Sequence, residues 1–242
     1  MPLTRPQADE LCDFAEEADR ETRDDLVAGY VRGEDDYTSQ FTVTLRRRIN
    51  AQSTTGLRAT SYLLPVRRER QMGCDAAVLI SGRDATKTAP FEAKLPGVAR
   101  GKTRWDYRQG TGGNSHFSGQ LDKQKSFVPG FAVFEMFYLD WPFGAQPSHL
   151  PDEGSACVWH DEAVAFDGVR GSAPGPWSHA ELDTLLHRQA LTIRDVLEAV
   201  CQCAAGEAIS WVPSGAGEVA TFAKELGLEG LILHIESAEE GE

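Results

Sequence analysis

Residues 73–96 constrain the fold most, because they have the pattern of two strands joined by a tight turn. Residues 74–80 form a short apolar run that is typical of a buried strand. Residues 81–84 are Ser, Gly, Arg and Asp, which favour a turn, and residues 89–95 form the second run. The stretch therefore predicts a β-hairpin inside a larger sheet.

The predicted hairpin brings charged side chains together on one face. If the chain turns near Arg83 and Asp84, positions whose numbers add up to 167 lie opposite each other, so Asp75 faces Glu92. Side chains two apart on a strand share a face, which puts Lys94 beside Glu92. Because opposite side chains are roughly 5 Å apart, two carboxylates and one ammonium are expected to converge.

This cluster has a known chemical use. Two carboxylates suit Mg²⁺ or Mn²⁺, hard cations that take oxygen ligands. A metal so bound polarises a phosphoryl oxygen and lowers the pKa of a bound water. A neighbouring lysine orients or deprotonates that water, or stabilises charge on the phosphate.

Asp75, sixteen intervening residues and then Glu92-Ala93-Lys94 resemble the PD-(D/E)xK, or restriction-endonuclease-like, nuclease superfamily. Cys74 stands where the first proline of that motif is found. The resemblance implies metal-dependent hydrolysis of phosphodiester bonds, with Asp75 and Glu92 holding Mg²⁺ or Mn²⁺ and Lys94 positioning the attacking water. The alternative is an ordinary solvated Glu–Lys pair on a surface strand, although Asp75 opens an otherwise apolar run.

A helix predicted over residues 34–50 offers a third metal ligand. Apolar side chains recur every four residues along it from Tyr37 to Ile49 and predict one buried stripe. Glu34 lies at the edge of this stripe, and the resemblance implies that the first core helix supplies an extra acid to the metal. Capping and compensation of the helix dipole is an equally good explanation of Glu34.

A second predicted helix, residues 116–127, follows the Glu-x-Lys strand. The resemblance implies that a Gln or Lys of this helix lines the site, and Gln120 is the best match, followed by Gln124. His116 is either a general base or a structural residue. Glu69 also resembles an acid seen in some branches of the superfamily.

The order of predicted elements agrees with the resemblance. A helix, three strands, the second helix and an apolar strand near residues 131–139 give an α-β-β-β-α-β core with a central mixed sheet flanked by helices. This α/β core spans residues 34–140, after an N-terminal helical segment, 1–33. Residues 141–236 are predicted to add helices and a strand that pack on the core, and 237–242 an acidic tail.

Charge is distributed unevenly along a chain whose net charge is −13. Residues 45–125 hold 16 basic and 6 acidic residues, whereas both flanking segments are strongly acidic. Because phosphate is bound chiefly by Lys and Arg, we expect this basic segment to contact nucleic acid, with DNA as the first choice, rather than only to pair with the acidic segments. The candidate contacts are Arg100, Lys102, Arg104 and Lys123.

The loop over residues 97–115 carries aromatic as well as basic residues. Trp105 and Tyr107 are candidates for stacking on bases, although a mobile surface loop has the same composition. Its Gly-Thr-Gly-Gly run lacks the Lys-Ser/Thr helix entry of a P-loop, which excludes that motif.

Composition bounds the compartment and the partners. No apolar run approaches the roughly 20 residues of a membrane span, so no membrane partner is expected. The five scattered cysteines and the acidic N-terminus favour the cytoplasm.

Zinc ligation by Cys157, His160, Cys201 and Cys203 is disfavoured by their spacing. The acidic flanks suggest a homodimer or a partner subunit, as in bacterial defence or repair systems.

A second class of function competes with the nuclease. In it the chain is a non-catalytic acidic subunit or a nucleic-acid mimic with a degenerate nuclease fold. Small-molecule hydrolases and transferases are disfavoured, because no GxSxG, HExxH or GxGxxG motif occurs. The two remaining classes differ in whether the carboxylates converge with Lys94 in an open cleft.

Overall fold

A mixed six-stranded β-sheet lies between two layers of helices in a computed structural model that describes residues 1–64, 72–109, 113–170 and 175–237. The helices are α1 (Arg5–Ala28), α2 (Glu34–Gln52), α3 (His116–Gln124), α4 (His160–Val169), α5 (His179–Arg188), α6 (Ile193–Cys201) and α7 (Gly215–Glu225). The strands are β1 (Leu57–Leu63), β2 (Ala76–Ser81), β3 (Thr86–Lys94), β4 (Arg108–Gln109), β5 (Asn114–Ser115), β6 (Phe134–Phe137), β7 (Ala156–Trp159) and β8 (Leu231–Ser237). The predicted α/β class is confirmed.

The first helical layer is built by strong local signals. Thr4 caps α1 in a capping box with Gln7, and Gly29 ends the helix in the left-handed conformation that glycine adopts readily. The predicted apolar stripe of α2 is completely buried, from Tyr37 to Ile49. With α6, these helices cover one face of the sheet.

The strand order is β1-β8-β2-β3-β6-β7, and it contains one feature that the sequence did not predict. The C-terminal strand β8 lies between β1 and β2, antiparallel to β1 and parallel to β2. We expected the C-terminal strand to pack against a core formed by residues 34–140. Instead β8 is part of the central sheet, and without it β1 and β2 are not neighbours.

The two faces of the sheet differ in what they bury. In β2, Ala76, Val78 and Ile80 contact the α1–α2–α6 layer, whereas Ala77 and Leu79 face α7. The α3–α5 helices pack beside α7 on this second face around a separate aromatic-rich cluster. The charged residues of β3 point to the second face, since Phe91 and Ala93 belong to the first.

Several local predictions are corrected by the structure. The apolar run 157–160 predicts a strand that includes His160, whereas His160 begins α4, after the extended Trp159. Trp105 is buried against Phe117 and Trp177, so its expected role in base stacking is wrong. The proposed site residue Glu69 and residues 238–242 of the acidic tail lie outside the described residues.

In the part of the chain that the structure describes, no helix is both long enough and apolar enough to span a membrane.

Candidate active site

The β2–β3 hairpin has the predicted register. Ala76 lies opposite Phe91 and Ser81 opposite Thr86, which are pairs whose numbers add up to 167. This pairing places Glu92 and Lys94 near the end of β3, with their side chains on the face covered by α3. Glu92 is only 1% exposed and Lys94 is 6% exposed, so both charges are withdrawn from bulk water.

The ammonium group of Lys94 is the centre of the site. Its Nζ donates to Glu92 Oε1 and, at 3.0 Å, to the carbonyl oxygen of Ala93. Glu34 Oε2 lies 3.9 Å from the same nitrogen. The two carboxylates come from elements far apart in sequence, and Lys94 is the cation that they share in this structure.

Glu34 is held in place by the first turn of α2 and by the end of β3. Its Oε1 accepts the backbone N–H of Leu95 at 3.0 Å, which orients the other oxygen towards Lys94. The N-cap residue Gly33 has no side chain that could cap the helix. Besides its favourable position at a helix N-terminus, Glu34 thus joins α2 to the charged cluster.

Gln120 reaches the same carboxylate from α3. Its Nε2 donates to Glu92 Oε1. Its Oε1 is buried and has no hydrogen-bond partner among the residues that the structure describes. An unpaired buried oxygen is costly, so a ligand or water that donates to Gln120 would stabilise the site.

Asp75 contacts the backbone of the strand that carries Glu92 and Lys94. Its Oδ2 accepts the N–H of Ala93 at 3.0 Å, and its own N–H donates to the Phe91 carbonyl oxygen at 2.9 Å. The ligand atoms of Glu34, Asp75 and Glu92 do not all lie within 4.8 Å of one another in the described chain. That Asp75 and Glu92 share one cation stays a prediction.

The environment of Lys94 favours its charged form. Burial acts to lower its pKa, but the attraction of Glu92 and Glu34 outweighs this effect and raises the pKa above its usual value. Lys94 is therefore an ammonium group at neutral pH. In this arrangement it can stabilise negative charge but cannot take a proton from water.

A second layer of polar side chains lies behind Glu92, and of its members sequence reasoning selected only Gln124 for the site. Glu135 of β6 pairs in register with Glu92 of β3 and is fully buried. His160 Nδ1 lies 2.7 Å from Gln124 Oε1 and 3.3 Å from Glu135 Oε1. Gln124, the second-best predicted site residue, therefore supports His160 and also donates to the Gly73 carbonyl oxygen at 3.1 Å. The single charged residue in the apolar run 131–139 was the available signal for Glu135.

An aromatic pair stands near the cluster at the surface. The rings of Tyr107 and His116 stack with centroids 4.3 Å apart, and Tyr107 is 58% exposed. Burial and the charge of Lys94 lower the pKa of His116 and so favour its neutral ring. Burial raises the pKa of Tyr107, although Lys94 acts in the opposite direction.

An open groove borders the site beside Glu34. The groove has a volume of about 420 Å³ and is lined by the first turn of α2, by Leu95 and by Lys102. Acidic side chains Glu34, Asp35 and Asp36 line the α2 side. A cation or a cation-bearing ligand suits this wall better than bare phosphate does.

The four predicted nucleic-acid contacts have different surroundings. The Arg100 guanidinium donates to the Leu26 carbonyl oxygen and lies 4.0 Å from Asp140, so it fixes its own loop. Lys102 Nζ donates to the Leu95 carbonyl oxygen at 3.3 Å. Arg104 is exposed, and Lys123 is half-buried on α3. Of the four, Arg104 is the side chain best placed to meet a phosphate.

Comparison of the chain with protein-family models, with curated proteins and with solved structures found no match.

Proposed function

We propose that this protein is a metal-dependent nuclease that hydrolyses phosphodiester bonds, with DNA as its substrate. One observation carries the proposal: beside an open groove, Glu34 and Glu92 approach Lys94, and Gln120 of a third element donates to Glu92. Buried ionisable groups that gather at a cleft are typical of active sites. The core is proposed to be restriction-endonuclease-like, with β8 as an inserted strand.

The donor set suits Mg²⁺ or Mn²⁺. Glu34 and Glu92 both approach one cationic group, the Lys94 ammonium, and both offer hard oxygen ligands. The buried Oε1 of Gln120 can accept from a metal-bound water. When bound, the metal would lower the pKa of a water and polarise a phosphoryl oxygen. Asp75, which precedes β2 and accepts the Ala93 N–H of β3, is the further ligand proposed from the motif.

The protein's own residues supply positioning and charge. A protonated Lys94 places a positive charge where the negative charge of a phosphoryl transition state develops, and its burial strengthens that interaction. Gln120 holds Glu92 in one orientation by donating to Oε1. The exposed ring of Tyr107 offers a platform on which a base of the substrate can stack.

The acidic groove favours one alternative function, a non-catalytic subunit. Lys94 is already neutralised by Glu92, and three acids line the adjacent groove. The negative charge of this surface is like that of a phosphate backbone, whereas a site that binds phosphate is usually positive. The nuclease proposal includes a homodimer or a partner subunit that delivers the substrate. In the alternative, the protein binds a partner subunit and cleaves nothing itself.

The experiment that tests the proposal compares wild type with Glu92→Gln on linear, circular and single-stranded DNA and on RNA, with Mg²⁺, Mn²⁺ or EDTA. Glutamine keeps the size of the side chain and removes its charge. The nuclease proposal expects cleavage by wild type that requires metal and is lost in the variant. Wild type that cleaves none of these substrates with either metal would support the non-catalytic alternative, as would equal cleavage by both proteins.

A further inference from the structure

A cluster of two histidines and one aspartate lies away from the candidate active site, where the β6–β7 loop meets α5. His149 Nε2 lies 3.1 Å from Asp183 Oδ1, and His187 Nε2 lies 3.7 Å from Asp183 Oδ2. One ligand atom from each of the three residues lies within 4.8 Å of the others. In the described chain, this is the one group of three such side chains that meets this distance.

Helix α5 carries Asp183 and His187, and the β6–β7 loop carries His149. Asp183 and His187 are four residues apart on α5, so they lie on the same side of that helix. A capping box between Ser178 and Glu181 fixes where α5 begins. The cluster is therefore built on a well-defined helix rather than on a loop alone.

The loop that carries His149 is anchored directly after that residue. Leu150 is buried in the aromatic-rich cluster, and its N–H donates to the Pro147 carbonyl oxygen at 3.0 Å. The buried Arg23 donates to the Pro151 carbonyl oxygen at 3.2 Å. These contacts fix the backbone that carries His149 beside α5, and a ligand-binding side chain needs such a fixed support.

Within the described chain, the contacts inside the cluster leave a ring nitrogen of His149 without a hydrogen bond. The rings of His149 and His187 stack with centroids 3.5 Å apart, so the two imidazoles lie face to face. His149 Nε2 is buried and makes no hydrogen bond with any described residue, because Asp183 Oδ1 lies at a suitable distance but in an unsuitable direction. A buried ring nitrogen of this kind needs a partner.

We propose that His149, Asp183 and His187 bind a Zn²⁺ ion. Two imidazole nitrogens and one carboxylate oxygen form a donor set that zinc accepts, with water in the remaining position. Binding requires the stacked rings to turn until a nitrogen of each points at the ion. Imidazole suits Zn²⁺, whereas Mg²⁺ and Ca²⁺ prefer oxygen ligands alone. The ion would join the β6–β7 loop to α5, and this site is separate from the carboxylate cluster around Lys94.

The test is isothermal titration of the metal-free, full-length protein with ZnCl₂ in the presence of excess Mg²⁺. Wild type is expected to bind one Zn²⁺ that Mg²⁺ does not displace. His187→Ala and Asp183→Asn each remove an exposed ligand, so both variants should fold normally. Each is expected to weaken the affinity by about 100-fold, at least as much as the loss of an outer-shell partner costs in known metal sites.

His179→Ala is the matched control, because it removes a histidine from the first turn of the same helix but outside the cluster. This variant should bind Zn²⁺ as wild type does. Replacing Zn²⁺ by Co²⁺ gives a second readout, a visible absorption band that should be present in wild type and absent in His187→Ala. Wild type that binds no Zn²⁺, or affinities that are equal in wild type, His187→Ala and Asp183→Asn, would overturn the proposal.

Discussion

Glu92 and Glu135 lie side by side in register on the parallel strands β3 and β6, and both are buried. Two neighbouring carboxylates in a dry environment repel each other unless cations or hydrogen-bond donors offset their charge. Lys94 contacts the first carboxylate, and His160 Nδ1 lies 3.3 Å from the second. The candidate site thus depends on a layer of residues behind it.

We expect His160→Leu to destabilise the protein by about 2 kcal/mol, because Gln124 Oε1 loses its partner inside the core. Chemical denaturation of both proteins measures this difference. The double variant His160→Leu/Gln124→Leu should lose less than the sum of the two single variants, since it leaves no unpaired atom of that contact. Additive losses would show that the two side chains do not depend on each other.

Two substitutions of Glu34 separate a ligand from a structural residue. Glu34→Gln keeps an oxygen for the Leu95 N–H and removes the charge near Lys94, so the melting temperature should stay the same while the Mg²⁺ requirement rises. Glu34→Ala also removes the acceptor and should cost about 1 kcal/mol of stability. Thermal melts and a Mg²⁺ titration of cleavage measure both effects. An unchanged Mg²⁺ response in Glu34→Gln would limit Glu34 to a structural role.

The basic loop should contain one phosphate contact and one structural arginine. Arg104→Ala is expected to weaken DNA binding and to reduce the slope of log K against log salt by about 1. Arg100→Ala should instead lower stability, because its guanidinium holds the loop to the Leu26 carbonyl oxygen. Binding isotherms at several salt concentrations, with melts of both variants, measure these effects. If Arg104→Ala leaves the slope unchanged, the substrate binds elsewhere.

The buried His234 of β8 should make the fold sensitive to acid. Burial lowers its pKa from 6.5 to about 4, so the unfolded chain takes up the proton first as the pH falls. Stability conferred by the neutral ring is complete above pH 6.5 and is lost between pH 6.5 and pH 4, by about 3 kcal/mol. His234→Gln should therefore lose less stability than wild type over this range in urea denaturation. If the stability of wild type and of His234→Gln falls equally with pH, the acid sensitivity does not come from His234.

The sequence was sufficient to predict most elements and the core of the site. Two apolar runs around turn residues located the hairpin, and a period-four pattern located the buried stripe of α2. The turn at Arg83 and Asp84 predicted the register, and the alternation of side chains along a strand placed Glu92 and Lys94 on one face. The meeting of Glu34 and Gln120 with these residues was predicted from the resemblance alone. Whether Asp75 shares their cation is still a prediction.

Long-range contacts account for what the sequence did not reveal. Nothing local distinguishes a strand at the edge of a sheet from one such as β8, which inserts between β1 and β2. Trp105 has the same neighbours in sequence whether it stacks on a base or is buried against Trp177. The partnership of Glu135 with His160 depends on α4, a helix whose weak amphipathic pattern left it unpredicted.

Cleavage and binding by Lys94→Ala, measured on one preparation, test the nuclease proposal most directly. The ammonium group contacts Glu92 and is the positive charge available inside the carboxylate cluster. Removing a charge that stabilises a transition state costs on the order of 10²-fold in rate or more. The account predicts a folded variant that binds DNA as wild type does and has lost metal-dependent cleavage. Wild type that cleaves no DNA with Mg²⁺ or Mn²⁺, or a variant that cleaves as fast as wild type, would contradict it.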